Sequence, residues 1–432
     1  MTRPFTIWGG IGGENGVSPT SGNQNPVRRF LDQCAEAGVT RFIPGYIPGQ
    51  ETCLRYDHGR GGYDSKDVVA VLPPFYEVHG WDPLAFLVEE AHSRGIEVHP
   101  YNAVGYSGTA AIESQTGSRM PEMRITHFAN EHLEAWMRRR DGLSSFDVSG
   151  AVVLSYGYPE ARAQEQNHFL KMARSHEIDG IQLEFQIESV PGQVDAHGVF
   201  VYGYEDPIVQ DYRDRSGKDP LSLPNHDEEW TRFQAGYVTQ FVRELKQQLD
   251  ALTKPIRLTA AVASNPNTAY RRLQDWPVWV DEGIIDEIHI RHLTGNLAHI
   301  YEYTAAAAAT IAGRVPLLAQ LLCWGNNKLV TPALIRDGAN TALAAGADQV
   351  GIYRGDRISE LHLWEAARSI ARNGGGEALT NQTWVQTRWP ETSGIRRRSE
   401  RRTSPVLRRC RQRSNYQRYA AKSDRAANDL SR

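Results

Sequence analysis

Between Ile181 and Glu188 the chain alternates strictly: Ile181, Leu183, Phe185 and Ile187 are apolar, and Gln182, Glu184, Gln186 and Glu188 are polar. A parallel strand covered on both faces reads as almost wholly apolar, so four polar side chains on one face are costly unless they pair or do chemistry. Glu184 is the first candidate for a catalytic carboxylate, and Glu188, farther along, for a substrate or loop contact. The segment Ile284 to Arg291 repeats the pattern, with Glu287, His289 and Arg291 opposite Asp286, Ile288 and Ile290. Glu287 falls early in that segment and reads as well as a buried partner of an Arg or His as it does as a catalytic group. Further residues alternate toward the same side of their segments: Glu97, His99 and Tyr101, followed by Asn102; Gln320 and Trp324; and Tyr353, with Asp356 just beyond. Paired carboxyls suit glycosidic bond hydrolysis, which needs one acid and one base or nucleophile, about 5 Å apart for retention and about 6.5 to 9.5 Å for inversion. Glu184 with Asp356, Glu287, Glu188 or Glu14 supplies such a pair, and spacing does not rank the second member. Aromatic residues cluster near the same segment ends, namely Trp8, Tyr46, Trp81, Tyr101, Tyr106, Tyr202, Tyr204, Trp324 and Tyr353. Their flat faces favour a pyranose ring over a phosphate.

Positioning these groups requires a repeated scaffold. Period-2 apolar runs alternate with helical patterns as far as about Asn373, the mark of βα units and a parallel sheet. Strands are expected at Phe5 to Gly10, from Val39, at IEVHPYNAV, IDGIQLEFQIE, IRLTAAVAS, IIDEIHIRHLT, VPLLAQLLCW and ADQVGIYRGD. Eight such strands, each with its helix, predict an α/β fold, a single (β/α)8 TIM barrel over residues 1–373, rather than an open sheet. Three connections are too long to be mere links: Pro48 to Gly80, Gly105 to Pro159 and Ser189 to Asn225. All three follow strand C-termini, where barrels keep their chemistry. Within the second, AVVLSY is expected to pair as a small hairpin.

Composition narrows the partners. The chain has 432 residues, 40% hydrophobic and 23% charged, in the range of a globular protein with a sizeable core. Residues 374–432 are Gly- and Arg-rich without an apolar period, and read as a disordered basic tail. From Ile395 onward, twelve Arg and one Lys stand against Glu400, Asp424 and Asp429, a net of +10, which leaves −13 on the preceding residues of a chain whose total is −3. An acidic body suits a neutral sugar better than a polyanion, and the tail lacks any folded nucleic-acid reader, so no nucleic-acid partner is expected. No membrane span and no signal peptide are seen, so the chain as given reads as cytoplasmic, or as secreted if a leader is missing. Four scattered cysteines argue against a zinc knuckle and a disulfide framework. His99, His289 and His292 lack metal-ligand spacing, and no metal or other cofactor is expected. The pattern leaves the oligomeric state open.

The stretches FLVEEAHSRGIEVHPYNAV, HEIDGIQLEFQ, YEDPIVQDYRDRSGKDPLSLPNHDEEWTRFQAGYVTQFVREL and LQDWPVWVDEGIIDEIHI resemble the glycosyl-hydrolase-like family 10 group of barrel proteins. The similarity runs from about Phe5 to Arg372. Its most specific elements are Asp179 to Glu184, Glu205 to Val209 with Gly217 to Pro220, Trp230, and Asp275 to Gly283. The resemblance implies a barrel glycoside hydrolase acting on an oligo- or polysaccharide, of a kind often exported. It also implies Asp at the position of Glu184, where this chain reaches one methylene farther. In that reading Glu184, Asp356 and Glu287 are the catalytic candidates, and Trp8, His99, Tyr101, Asn102, Gln182, Glu188, His289, Arg291, Trp324 and Tyr353 line the substrate site. A noncatalytic sugar-binding barrel and a metal-dependent barrel lyase or isomerase are the alternatives.

Overall fold

A computed structural model of the chain describes residues 4–10, 23–45, 53–56, 68–72, 79–109, 123–149, 151–185, 194–195, 198–292, 294–323 and 330–373. The region 374–432, expected to be a disordered tail, lies outside them, as do Glu14, Tyr46, Gln186, Glu188, Trp324 and the side chain of Asp356.

Eight strand positions close into an all-parallel barrel. They are β1 (Phe5–Gly10), β2 (Arg41–Gly45), β3 (Glu97–Val98 with Tyr101–Ala103), β4 (Gly180–Glu184), β5 (Arg257–Ala263), β6 (Glu287–His292), β7 (Leu317–Leu322) and β8 (Gln349–Tyr353). Closure is explicit, because β1 pairs with both β2 and β8. The fold is therefore the expected (β/α)8 barrel. One strand departs from expectation: β3 is interrupted at His99 and Pro100. Proline has no N–H to give to the ladder, although the Pro100 carbonyl still accepts from Gln182 N–H at 3.0 Å and His99 N–H donates to the Phe42 carbonyl at 3.0 Å.

Helices follow from local chemistry. Asp82 accepts from the N–H groups of Leu84 and Ala85 and Pro83 opens the helix Pro83–His92; Asp227 caps Glu228–Asp250 through Trp230 N–H at 2.9 Å. The helix Asp206–Ser216 ends on Gly217, whose left-handed φ of 69° only glycine adopts without cost. These helices bury one apolar side against the outward faces of the strands. Ile181, Leu183 and Phe185 of β4 and Ile288 and Ile290 of β6 belong to that outer core. The inward faces carry a separate cluster of Trp8, Ile43, Tyr101 and Leu318, with Tyr353 packed on it.

The first two long connections pair with each other. Val68–Leu72, Cys53–Tyr56, Met123–Thr126, Tyr106–Thr109 and Ala151–Val153 form, in that order, a five-stranded antiparallel sheet. The AVVLSY run is thus the edge of this sheet, paired with Tyr106–Thr109, and not a hairpin of its own. Its core is the small cluster around Ile125, Ala129, Trp136, Val152 and Leu154.

Candidate active site

Inward-facing side chains stack in levels set by strand register. At the floor, Arg41 Nη1 donates to Glu287 Oε1 at 2.8 Å, and Arg41 Nε reaches Glu97 at 3.3 Å. Arg257 also donates to Glu97 and contacts His99 Nε2 at 3.3 Å. Arg41 and Glu287 are nearly inaccessible, with 2% and 3% of their side chains exposed. Burial would push the Glu287 carboxyl up, yet the neighbouring His289 and the Arg41 guanidinium outweigh it and hold it below the usual carboxylate range. Burial and the nearby Arg41 and Arg257 charges push His99 well down, and burial lowers His289 against the pull of Glu287, so both imidazoles are neutral at pH 7.

One level up, Glu184 of β4 and His289 of β6 both lie in register with Ala261 of the intervening β5. Glu184 is 1% exposed, accepts from Gln182 Nε2 at 3.0 Å, and has Arg291 Nη1 3.6 Å from its Oε1. Arg291 is itself held by the Phe185 carbonyl. An arginine at that distance from Glu184 favours the carboxylate form, the form required of a nucleophile, a base or a charge that stabilises a cationic transition state. Ala261, with the smallest side chain of the three, stands between Glu184 and His289. Trp8 meets His289 edge-on, with centroids 5.4 Å apart.

Three inward rings are seated on glycines of the adjacent strand. A methyl group added at Gly45 would lie 1.9 Å from Tyr101 Cζ, at Gly180 2.5 Å from His99 Nδ1, and at Gly351 2.4 Å from Trp8 Cζ3. The rings lie where side chains of the neighbouring strand would otherwise stand.

The barrel therefore brings together Trp8, His99, Tyr101, Gln182, Glu184, Glu287, His289, Arg291 and Tyr353. Asn102 does not join them: it is paired with the outward-facing Leu183 and so lies on the helix side of β3. Tyr202 and Tyr204 are also placed elsewhere, buried in packing, with Tyr204 against Trp230 at 5.4 Å and beneath the Arg140 guanidinium. Asp356 opens the short helix Asp356–Glu360 directly after β8. Sequence reading passed over Arg41, although one charge within RFIPG, an otherwise uncharged strand, was a usable signal. It also passed over Glu205 as an individual residue. That carboxylate is buried, accepts from Ser155 Oγ at 2.7 Å and from Arg138 N–H, and is pushed up by burial to about 7. It fastens the segment after β4 to the insertion after β3. A cavity of about 20 Å³ lined by Val104, Leu154, Phe185 and Phe200 lies on the helix side of Phe185, away from this site. Among the described residues, no group of three or more His, Cys, Asp or Glu is arranged to hold a metal ion, and no helix is long and apolar enough to cross a membrane.

The closed barrel of eight parallel strands carries the buried Glu184 on its inward face at the C-terminal end of β4. The chain belongs to the family described as Glycosyl hydrolase-like 10, which matches it over residues 75–323. Among solved structures it is similar to the PgaB (BpsB) glycoside hydrolase domain from Bordetella bronchiseptica, at 12% identity and a TM-score of 0.56, covering 85% of this chain and 99% of that one. It is also similar to the GH36 α-galactosidase AgaA from Geobacillus stearothermophilus, at 9% identity and a TM-score of 0.48, covering 86% of this chain and 42% of that one. No curated protein matches the chain.

Proposed function

We propose that the barrel binds an oligo- or polysaccharide and hydrolyses an O-glycosidic bond, with Glu184 as the carboxylate at the reacting centre. The observation that carries this reading is the placement of Glu184: inward, at the end of β4, bonded to Gln182 and facing Arg291 across 3.6 Å. A carboxyl group so placed suits a base, a nucleophile or a stabiliser of oxocarbenium charge. Glu287 fits a different role, because its carboxylate is already engaged by Arg41 and His289 and is a poor proton donor. The proton donor is then assigned to Asp356, which follows β8 on the same end of the barrel. The family and the glycoside hydrolase domain of similar fold support the reaction class.

Replacing Glu184 by Gln tests the assignment on a panel of oligosaccharides and aryl glycosides. Turnover is expected to fall by on the order of 10²–10⁴ while sugar binding persists. Turnover retained within a few-fold overturns the role of Glu184. Sugar binding without turnover in the unaltered protein would instead make this a noncatalytic carbohydrate-binding barrel.

A further inference from the structure

Like His99 Nδ1, the buried ring nitrogens Trp8 Nε1 and His289 Nδ1 inside the barrel have no hydrogen-bond partner among the described residues. Their rings meet at 87° with centroids 5.4 Å apart, and both side chains are inaccessible. The hydrogen-bonding sense of each is fixed. The Cζ3 edge of Trp8 lies on Gly351, so the indole N–H, on the opposite edge, is turned away from β8. His289 Nε2 is 2.8 Å from Glu287, whose carboxylate is held as an anion by Arg41 at 2.8 Å. An anion only accepts, so Nε2 carries the ring proton and Nδ1 presents a lone pair. The barrel thus offers one donor and one acceptor on two rings that are in contact, His289 being in register with Glu184 through Ala261. A buried donor or acceptor left unsatisfied is destabilising.

We propose that Trp8 Nε1 and His289 Nδ1 together bind one hydroxyl group of a neutral, polyhydroxylated ligand. A hydroxyl oxygen accepts from the indole N–H while its own proton goes to the imidazole nitrogen. A carboxylate cannot donate to Nδ1 and would place a second anion beside Glu184. An ammonium cannot accept from the indole. The guanidinium groups facing the interior, Arg41, Arg257 and Arg291, are paired with Glu287, Glu97 and Glu184, which leaves this subsite neutral. The Arg41–Glu287 pair is in this account a positioning device that selects the His289 tautomer. The inference rests on the carbohydrate reading above and adds to it the preference for an uncharged, hydroxyl-bearing ring. A trapped water offers the same donor and acceptor, and the experiment separates the two.

Titration calorimetry on the full chain uses the methyl glycosides of glucose, galactose, mannose and N-acetylglucosamine, the monodeoxy forms of the tightest binder, and methyl glucuronide. His289→Gln keeps a donor for Glu287 and removes the Nδ1 acceptor; Trp8→Phe keeps a ring and removes the N–H. Each is expected to weaken the tightest neutral glycoside roughly five- to fiftyfold. One monodeoxy analogue should bind the unaltered protein equally weakly and lose nothing further in either variant. His289→Asn, which returns an acceptor near the Nδ1 position, should recover much of the affinity, a rescue that a folding defect would not show. Unchanged affinity in both variants means that a water occupies the pair and overturns the proposal, while Glu184 stands or falls separately on turnover by Glu184→Gln. Tighter binding of the glucuronide than of every neutral sugar overturns the selectivity. Failure of all the glycosides to bind the unaltered protein overturns the carbohydrate reading and this inference together.

Discussion

Arg41 and Glu287, 246 positions apart in sequence, meet at 2.8 Å inside the barrel. The pair lies among buried groups, so removing one partner is unlike removing a surface ion pair. Arg41→Met leaves a buried, half-compensated carboxylate and should lower stability by about 3–5 kcal/mol in denaturant unfolding. Adding Glu287→Gln to that variant should return a substantial part of the loss. A loss of less than about 1 kcal/mol in the single variant, the level of an exposed pair, would contradict the burial.

The same pair sets a pH dependence. Glu287 is held below its unfolded value, so its contribution to stability is full above the usual carboxylate range and is lost as pH falls through the folded value. Unfolding free energy should fall on acidification below about pH 4.5 with a contribution from this group of up to about 1.4 kcal/mol per pH unit. In Glu287→Gln that component of the slope should vanish, whatever its effect on stability at neutral pH.

Glu205 acts in the opposite direction. Burial raises it to about 7, against the lowering by Ser155 and the Arg138 N–H, so the folded state holds its proton where the unfolded state has released it. Its presence therefore becomes a growing liability as pH rises from about 4.5 to 7, approaching roughly 3 kcal/mol above that window. Glu205→Gln keeps an acceptor for Arg138 and a polar partner for Ser155. Relative to the unaltered protein it should gain stability progressively from pH 5 to pH 8, read as a widening gap in unfolding midpoints. A gap constant with pH would show that the group does not titrate in that window.

A methyl group at Gly45 would stand 1.9 Å from Tyr101 Cζ. Gly45→Ala forces the Tyr101 ring off its seat and should cost about 1–3 kcal/mol, as overpacking does. Gly45→Ala with Tyr101→Ala should be less destabilised than the sum of the two single changes, because the clash is then absent. Thermal or denaturant unfolding of the four proteins measures the coupling.

The parts of this structure that repeat were the legible ones. Ile181, Leu183 and Phe185 against Gln182 and Glu184 reveal two faces of β4 without any knowledge of its neighbours, because alternation is a local property of an extended chain. The same holds for Ile288 and Ile290 against Glu287, His289 and Arg291. Asn102 was misplaced because its polarity, and not its parity with Tyr101, was followed. Arg41 escaped notice because its meaning lies in a partner 246 residues away. The five-stranded sheet was missed for a related reason: Cys53–Tyr56 and Met123–Thr126 are short, and nothing in either announces the other as its partner. Tyr202 and Tyr204 carry the same side chain as Tyr101, and only tertiary packing separates a ring in the outer shell from one in the barrel.

The register between Cys53–Tyr56 and Met123–Thr126 carries a consequence for the redesign of this barrel. One strand comes from the connection after β2 and the other from the connection after β3, and they sit in the middle of a single sheet. Excising either connection would strip the other of its neighbour and expose a raw edge of N–H and C=O groups, an invitation to self-association. The two insertions are therefore one structural module built from two separate stretches of the chain. Transplanting it to another barrel, or trimming it from this one, requires both halves to move together.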